Sequence, residues 1–490
     1  MISSFVFRRF FSLALLATVF VAAKSSAQSL GSDKNTLPEI GVVASEALTL
    51  DKEILIGDAI MRQMRGQAPI IGDPVINEYI QDLGNRLVLQ ADNTKFPFQF
   101  FVINNNAMNA FAFYGGHVGV HTGIITAADN ESELASVLAH EVTHVTQRHL
   151  ARRALSQQRS SPLALASMFG SILLAMANPE AGIAALSTSQ AMSAQMGIDY
   201  TRSNEQEADR IGIDILYAAG FDPKATASFF GKMAEQYRMS SRPPERLLTH
   251  PLTEKRIADA RIRMDGYPNV RLAPSKSFHL AKARIQARYQ FKPDYALEYF
   301  IAVNDSGSYL IKEAAQYGLA VALFENEKYE EAKTINDALM QGDNENLFYL
   351  DLATDIDIAL GKPQDAIAML ERVLKQKPRN SVVVLNLANA LVSSKQYTRS
   401  IEILRDYLLV HPQDEIAYQI LTDAYKGEKQ YMGMHRSKAE LLALYGAYPN
   451  AVDELQHAYN FTGDNHLEKQ RIRARIQQFR DEQEKLKQMQ

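Results

Sequence analysis

The sequence predicts a mainly α-helical protein, α+β in its first half and all-α in its second, and three observations carry that prediction. Apolar residues recur at helical spacing along most of the chain. Between residues 96 and 122 the texture turns aromatic, β-branched and alternating, enough for one small sheet. From about residue 305 a period of 34 residues sets in.

The 490 residues, at roughly 150 per domain, suggest about three folding units. Lys plus Arg number 52 against 56 Asp plus Glu, a formal charge of −4, so no nucleic-acid partner is expected. With 46% hydrophobic and 22% charged residues the composition is that of a globular protein. The chain has no cysteine, which excludes disulfides, thiolate metal sites, a cysteine nucleophile and a lipid-modified N-terminal cysteine. Any metal must be held by His, Asp or Glu.

Residues 1–27 carry Arg8 and Arg9, an apolar run from Phe10 to Ala23 and the exit Ser25-Ser26-Ala27. That order reads as a secretory signal, since about 14 apolar residues fall short of the roughly 20 that span a bilayer. Export to a bacterial periplasm is the simplest consequence. Residues 28–50 form a polar N-terminal extension, and 51–264 the first domain. In it, helices are expected over 51–65 and 73–90, strands over 96–103 and 117–122, and helices over 131–155, 205–219, 223–237 and 254–264. Asn130 is placed to cap the 131–155 helix, with Glu133 completing a capping box. Residues 161–197 are uncharged apart from Glu180 and read as a mobile lid or a membrane-facing hairpin; the apolar run 163–177 is too short to span.

Residues 265–304 are a transition, 305–450 the repeats and 451–490 charged capping helices. Tyr329, Pro363, Tyr397 and Tyr431 lie 34 apart, as do Met340, Leu374, Leu408 and Leu442, and Leu319, Ala353, Leu387 and Leu421. Pro378 and Pro412 close two successive units. These columns resemble the tetratricopeptide repeat, a helix-turn-helix unit stacking into a superhelix with a concave face for protein partners. Lys333 and Asp357 sit where that pattern wants apolar or small residues. The repeats are expected to be separable, so that removing 306–490 would leave the metal in place.

Within the helix expected over 131–155 the chain reads His140-Glu141-Val142-Thr143-His144. Two imidazoles four apart share one helical face and can bind one zinc ion, with Glu141 beside the metal-bound water as general base. A catalytic zinc wants a third protein ligand. Gln147 and Leu150 exclude the HExxHxxGxxH pattern, and His149, out of step, reads as a surface residue. The better candidate is Glu205, with Asp209 one turn on to accept the outer N–H of a ligating imidazole. Glu207 is the rival ligand, but its partner position is Ile211.

HExxH followed by ExxxD, with Asn109-Ala110-Phe111-Ala112 and Gly115-Gly116 before them and Thr249-His250-Pro251 and Arg256 after, resembles the membrane-linked zinc metallopeptidases that include HtpX and the CAAX prenyl proteases. With a signal segment and C-terminal repeats attached, nearly the whole mature chain resembles the periplasmic branch of that family that serves outer-membrane protein assembly. The resemblance implies a gluzincin-type metallopeptidase domain with a small β-sheet, one Zn2+ per chain on His140, His144 and Glu205, Glu141 as base and Asp209 in support. It implies that His250 can take the fourth zinc position and hold the enzyme inactive; its rival role is hydrogen bonding to the tetrahedral oxyanion, for which Arg256 is a second candidate. The strand segment Gly116, His117, Val118, Gly119 and Val120 would be the edge to which an extended substrate adds. His117 and His121 share one face and are treated as strand residues. The implied substrates are unfolded or stalled outer-membrane proteins, with the repeats docking on the β-barrel assembly machinery and with contact to the outer-membrane surface open. The alternative is chiefly a chaperone or adaptor with a self-inhibited protease site. A non-protease hydrolase finds no GxSxG elbow and no GxxxxGK[ST] loop.

Overall fold

The computed structural model describes residues 48–160, 201–239 and 250–487. The expected signal segment, almost all of the N-terminal extension and residues 161–197 lie outside them. Helices α1 (Leu50–Gln67) and α2 (Pro74–Val88) come first, capped by the side chains of Thr49 and Asp73. Strands β1 (Gln99–Ile103), β2 (Ala110–Phe113) and β3 (His117–His121) follow, then α3 (Thr122–Ala127) and α4 (Glu131–Thr146). After α5 (His149–Ser160) come α6 (Arg202–Ala218), α7 (Ala225–Met239) and α8 (Glu254–Met264).

β3 runs parallel to β1, with Gln99 opposite His117, and antiparallel to β2, with Ala110 opposite Val120, giving the order β1-β3-β2. This corrects the expectation for Gly116, His117, Val118, Gly119 and Val120. β3 is the middle strand, paired on both sides, so an extended peptide cannot add to it. Gly116 precedes the strand at φ +88, where an added Cβ would come 2.3 Å from Pro97 O. β2 escapes sequence reading because Ala110, Phe111, Ala112 and Phe113 are all buried, which removes the alternation that marks a half-exposed strand.

β2 packs against α4, and α4 is buried from Ser132 to Thr146, its polar residues included, as a helix at a domain centre is. Asn130 Oδ1 accepts the Glu133 N–H at 3.1 Å, and the Glu133 carboxylate reaches back to the Asp129 N–H at 2.8 Å. The single helix expected over 131–155 is two helices. Arg148 at φ +51 breaks it, a left-handed residue between α4 and α5.

Residues 265–304, expected as a transition, hold α9 (Lys276–Arg284), a π-helical turn (Ile285–Gln290) and the start of α10 (Pro293–Ser306). The repeats then form helix pairs: α11 (Lys312–Glu325) with α12 (Tyr329–Gly342), α13 (Leu347–Ala359) with α14 (Pro363–Gln376), and α15 (Ser381–Ser393) with α16 (Tyr397–Leu408). Two more follow, α17 (Glu415–Gly427) with α18 (Tyr431–Leu444) and α19 (Tyr448–Asn460) with α20 (His466–Lys487). The column of Tyr329, Pro363, Tyr397 and Tyr431 is the first residue of four second helices. Two residues before each, Glu327, Gly361, Lys395 and Lys429 all take a positive φ, so the period is also a backbone period. The two misfits cancel, since Lys333 Nζ lies 2.9 Å from Asp357 Oδ1.

The two halves share one core. Ile76, Ile80 and Leu83 of α2 belong to the same buried cluster as Leu280, Ile285, Tyr317, Val321 and Val382. Arg284, 2% exposed at its side chain, pins them together, with Nε 2.6 Å from Asp73 Oδ2 and Nη2 2.5 Å from Asp351 Oδ2. Asp73 also caps α2 through Oδ1, which accepts the Ile76 N–H, so one guanidinium joins the start of α2 to the repeat helix α13. Removing 306–490 would strip apolar partners from α2 and α9. Arg284→Met should destabilise the full chain by about 3–5 kcal/mol, because it leaves two buried carboxylates without their cation. Urea unfolding followed by circular dichroism measures it, and a loss below about 1 kcal/mol would show that the network is not a structural requirement.

Candidate metal centre

α4 carries His140, Glu141 and His144 to the middle of the first half, and α6 lies along it. The approach is close at Gly212, where a Cβ would stand 3.3 Å from the His140 backbone nitrogen. Thr201 caps α6 through its hydroxyl to the Asn204 N–H, which places Glu205 in the first turn.

The two Nε2 atoms of His140 and His144 are 2.9 Å apart. Glu205 faces both, Oε2 at 3.4 Å from His140 Nε2 and Oε1 at 3.3 Å from His144 Nε2. His250 arrives from the turn before α8, its Nδ1 2.9 Å from Glu205 Oε1 and 3.3 Å from His140 Nε2. One donor atom from each of His140, His144, Glu205 and His250 lies within 4.8 Å of all the others. Each of the four residues is 5% exposed or less. Glu141, fully buried on the same helix, has Oε1 3.6 Å from His250 Nε2.

Three imidazole nitrogens and one carboxylate are the donor set that suits zinc in four-coordinate geometry. The outer nitrogens agree with that. His140 Nδ1 donates to Asp209 Oδ1 at 3.0 Å, so Nε2 is left to face the cluster. Burial disfavours charge on His140, but Glu205 and Asp209 outweigh it and hold its imidazole above the ordinary range. Burial holds His144 well below that range. Glu205 would be raised by burial, yet His250 and His140 hold its carboxyl well down.

Arg256 stands elsewhere than at an oxyanion position. Its Nε and Nη2 donate to Asp209 at 2.7 and 2.8 Å, and its Nη1 lies 2.6 Å from Glu205 Oε2 and 2.9 Å from Pro251 O. The guanidinium is 4% exposed and engaged by two carboxylates and a backbone carbonyl, so it orients Glu205 and Asp209. This corrects the oxyanion expectation for Arg256.

His149 is no surface residue. It is fully buried, its Nδ1 2.8 Å from His144 Nδ1 and its Nε2 3.3 Å from Glu207 Oε2, and Arg152 Nη2 holds Glu207 at 2.8 Å. In a continuous helix a residue five positions after His144 would point away from it; the left-handed turn at Arg148 swings it back. Arg148 is tied down in turn by Glu53 Oε1 at 2.8 Å and Leu48 O at 2.8 Å. No glycine, asparagine or proline marks this break, so local sequence gave no sign of it; Glu207, set aside for its Ile211 partner, was the one available clue. Burial, with Arg152 adding to it, pushes the His149 imidazolium down to about 4.

His117 stacks on Phe113 and lies 3.4 Å from Asp58 Oδ1, and burial pushes His121 down to about 4. Both sit outside the four-donor group. A second set of metal-type donors among the described residues, His435, Glu454 and His457, has its carboxylate engaged by Lys438 Nζ at 2.7 Å and by His435 Nδ1 at 2.6 Å.

Comparison with known proteins agrees with this geometry. The Peptidase family M48 profile matches residues 74–264, and a tetratricopeptide-repeat profile matches 357–425. The chain is 42% identical over 466 residues to the β-barrel assembly-enhancing protease of Yersinia pestis, covering 95% of this chain and 96% of that one. It is 42% identical over 475 residues to the protein of that name from Escherichia coli (strain K12), covering 96% and 97%. The mitochondrial metalloendopeptidase OMA1 of Schizosaccharomyces pombe is 27% identical over 179 residues, which is 36% of this chain and 50% of that protein.

Burial would raise the Asp209 carboxyl, but hydrogen bonds from His140 and Arg256 hold it below the ordinary range. A carboxylate depressed in this way adds stability above its unfolded pKa, about 3.9, and loses it as pH falls through the folded value. Arg256→Leu should therefore cost about 3–5 kcal/mol near pH 7, with the gap to the parent narrowing as the pH is taken below about 4. Unfolding titrations at several pH values measure this, and a gap that does not depend on pH would contradict it.

Proposed function

We propose, from the premise that this chain belongs to the β-barrel assembly-enhancing proteases of peptidase family M48 and is a metalloendopeptidase, that it is a periplasmic zinc enzyme that cleaves stalled or misfolded outer-membrane proteins and assists the assembly of others. The observation that carries the reading is the four-donor convergence of His140, His144, Glu205 and His250 beside Glu141 on one buried helix.

His140, His144 and Glu205 would hold the metal, with His250 as a fourth ligand. When bound there, zinc would supply Lewis acidity toward a peptide carbonyl and acidify a water molecule. The chain's own residues do the rest. Glu141 takes the proton of the attacking water and returns it to the leaving amine. Asp209 fixes the ring of His140, and Arg256 fixes both Asp209 and Glu205. His250, packed between Glu205 and Glu141, fills the space that a substrate carbonyl and its water need, so proteolysis requires it to move away.

The repeats suit recognition of polypeptide partners, the β-barrel assembly machinery first among them. Residues 1–27 would direct export. The rival reading, a chaperone or adaptor with a self-inhibited protease site, is favoured by the same placement of His250.

Purified protein should carry about one zinc per chain. Glu141→Gln should keep that zinc and lower peptide cleavage by about 10²–10⁴-fold, while His250→Ala should raise cleavage above the parent. Metal analysis and a peptidase assay measure both; zinc-free protein with full activity would contradict the metal reading, and lower activity in His250→Ala would contradict the blocking role.

A further inference from the structure

We propose that His149 is a positioning residue of the metal centre, a neutral imidazole that accepts the Nδ1–H of His144 and anchors it to Glu207. This rests on the metal reading above and adds to it a residue outside the HExxH and ExxxD motifs.

The proton placement follows from three contacts. Two Nδ1 atoms 2.8 Å apart, those of His144 and His149, can share one proton only. Glu207, held by Arg152, is an acceptor, so the proton of His149 belongs on its Nε2, 3.3 Å from Glu207 Oε2. With a metal on His144 Nε2, the single proton of that neutral ring lies on its Nδ1, so His149 Nδ1, 2.8 Å away, is the acceptor. With its proton committed there, His144 turns a lone pair at Nε2 toward His140 and Glu205, the state in which imidazole binds a metal. The opposite tautomer would put an N–H of His144 among the converging donors.

The backbone serves the same contact. Arg148 takes φ +51, a region that a side-chain-bearing residue enters only at a cost, and Glu53 and Leu48 hold it there. The result is a matched pair of supports. His140 leans on Asp209 and Arg256; His144 leans on His149, Glu207 and Arg152.

The test uses the full chain carrying Glu141→Gln, stripped of metal by dialysis against a chelator, with Zn2+ affinity read by competition against a fluorescent chelator. His149→Phe keeps a ring of similar size and loses the acceptor, and should weaken zinc about 10–100-fold. His149→Gln, whose amide oxygen can accept from His144 while its NH2 donates to Glu207, should recover most of that loss. A packing role alone predicts the reverse order, with Phe closer to the parent than Gln. Phe binding within twofold of the parent, or Gln binding as weakly as Phe, overturns the proposal. Should the Phe variant fail to fold by circular dichroism, Glu207→Leu, at a partly exposed position, should still weaken zinc several-fold, and parent-like affinity there overturns it. His144→Ala separates the two levels. If the parent binds no zinc, or His144→Ala binds as tightly, the metal reading itself fails; if binding is lost in His144→Ala and unchanged in His149→Phe, only the role of His149 fails.

Discussion

The first half of the molecule depends on one demand, that four donor atoms meet in a place shut off from water. Two imidazole nitrogens at 2.9 Å, a carboxylate and a third imidazole cannot rest together there unless a cation or shared protons lie among them and each is held from behind. Much of the surrounding structure answers that demand. Gly212 lets α6 come close enough for Glu205 to reach α4. Arg256 crosses from α8 to neutralise Glu205 and Asp209 together, and Arg148 leaves the helical conformation so that His149 can stand behind His144. The buried carboxylates Glu53, Glu205 and Asp209 each have a guanidinium within hydrogen-bond reach, because the alternative would cost several kcal/mol.

The second half is tied to the first by the same logic. Arg284 has Asp73 on one side and Asp351 on the other, and the apolar cluster around it runs from α2 into the repeats without a break. At the far end of the array, Arg65 of α1 pairs with Glu415 at 2.8 Å and Arg62 donates to Ala443 O at 2.9 Å. Part of the surface that a free-standing repeat array would offer to partners is therefore occupied by the chain's own peptidase helices.

Much of this was legible in the sequence, and the reasons separate cleanly. The period of 34 was visible because it is imposed at the first residue of successive second helices and again at the positive-φ turns before them, so several columns keep step. HExxH and ExxxD were visible because a helix brings residues four apart onto one face. What was missed involves residues whose neighbours are set by tertiary structure. β2 gave no alternation because both its faces are buried, and β3 looked like an edge because nothing local announces a strand on either side. His149 looked out of step because the break at Arg148 has no sequence marker. Arg256 could be placed near the site, but only the structure shows both its edges taken by carboxylates. Lys333 and Asp357 looked like defects singly and are a pair.

If this chain holds zinc through four of its own side chains, His250 included, zinc K-edge X-ray absorption on the metal-loaded full-length protein should show four nitrogen or oxygen scatterers at about 2.0–2.1 Å with the outer-shell pattern of three imidazoles, falling to two imidazoles in His250→Ala. A parent spectrum with only two imidazoles, or one unchanged by His250→Ala, would contradict it.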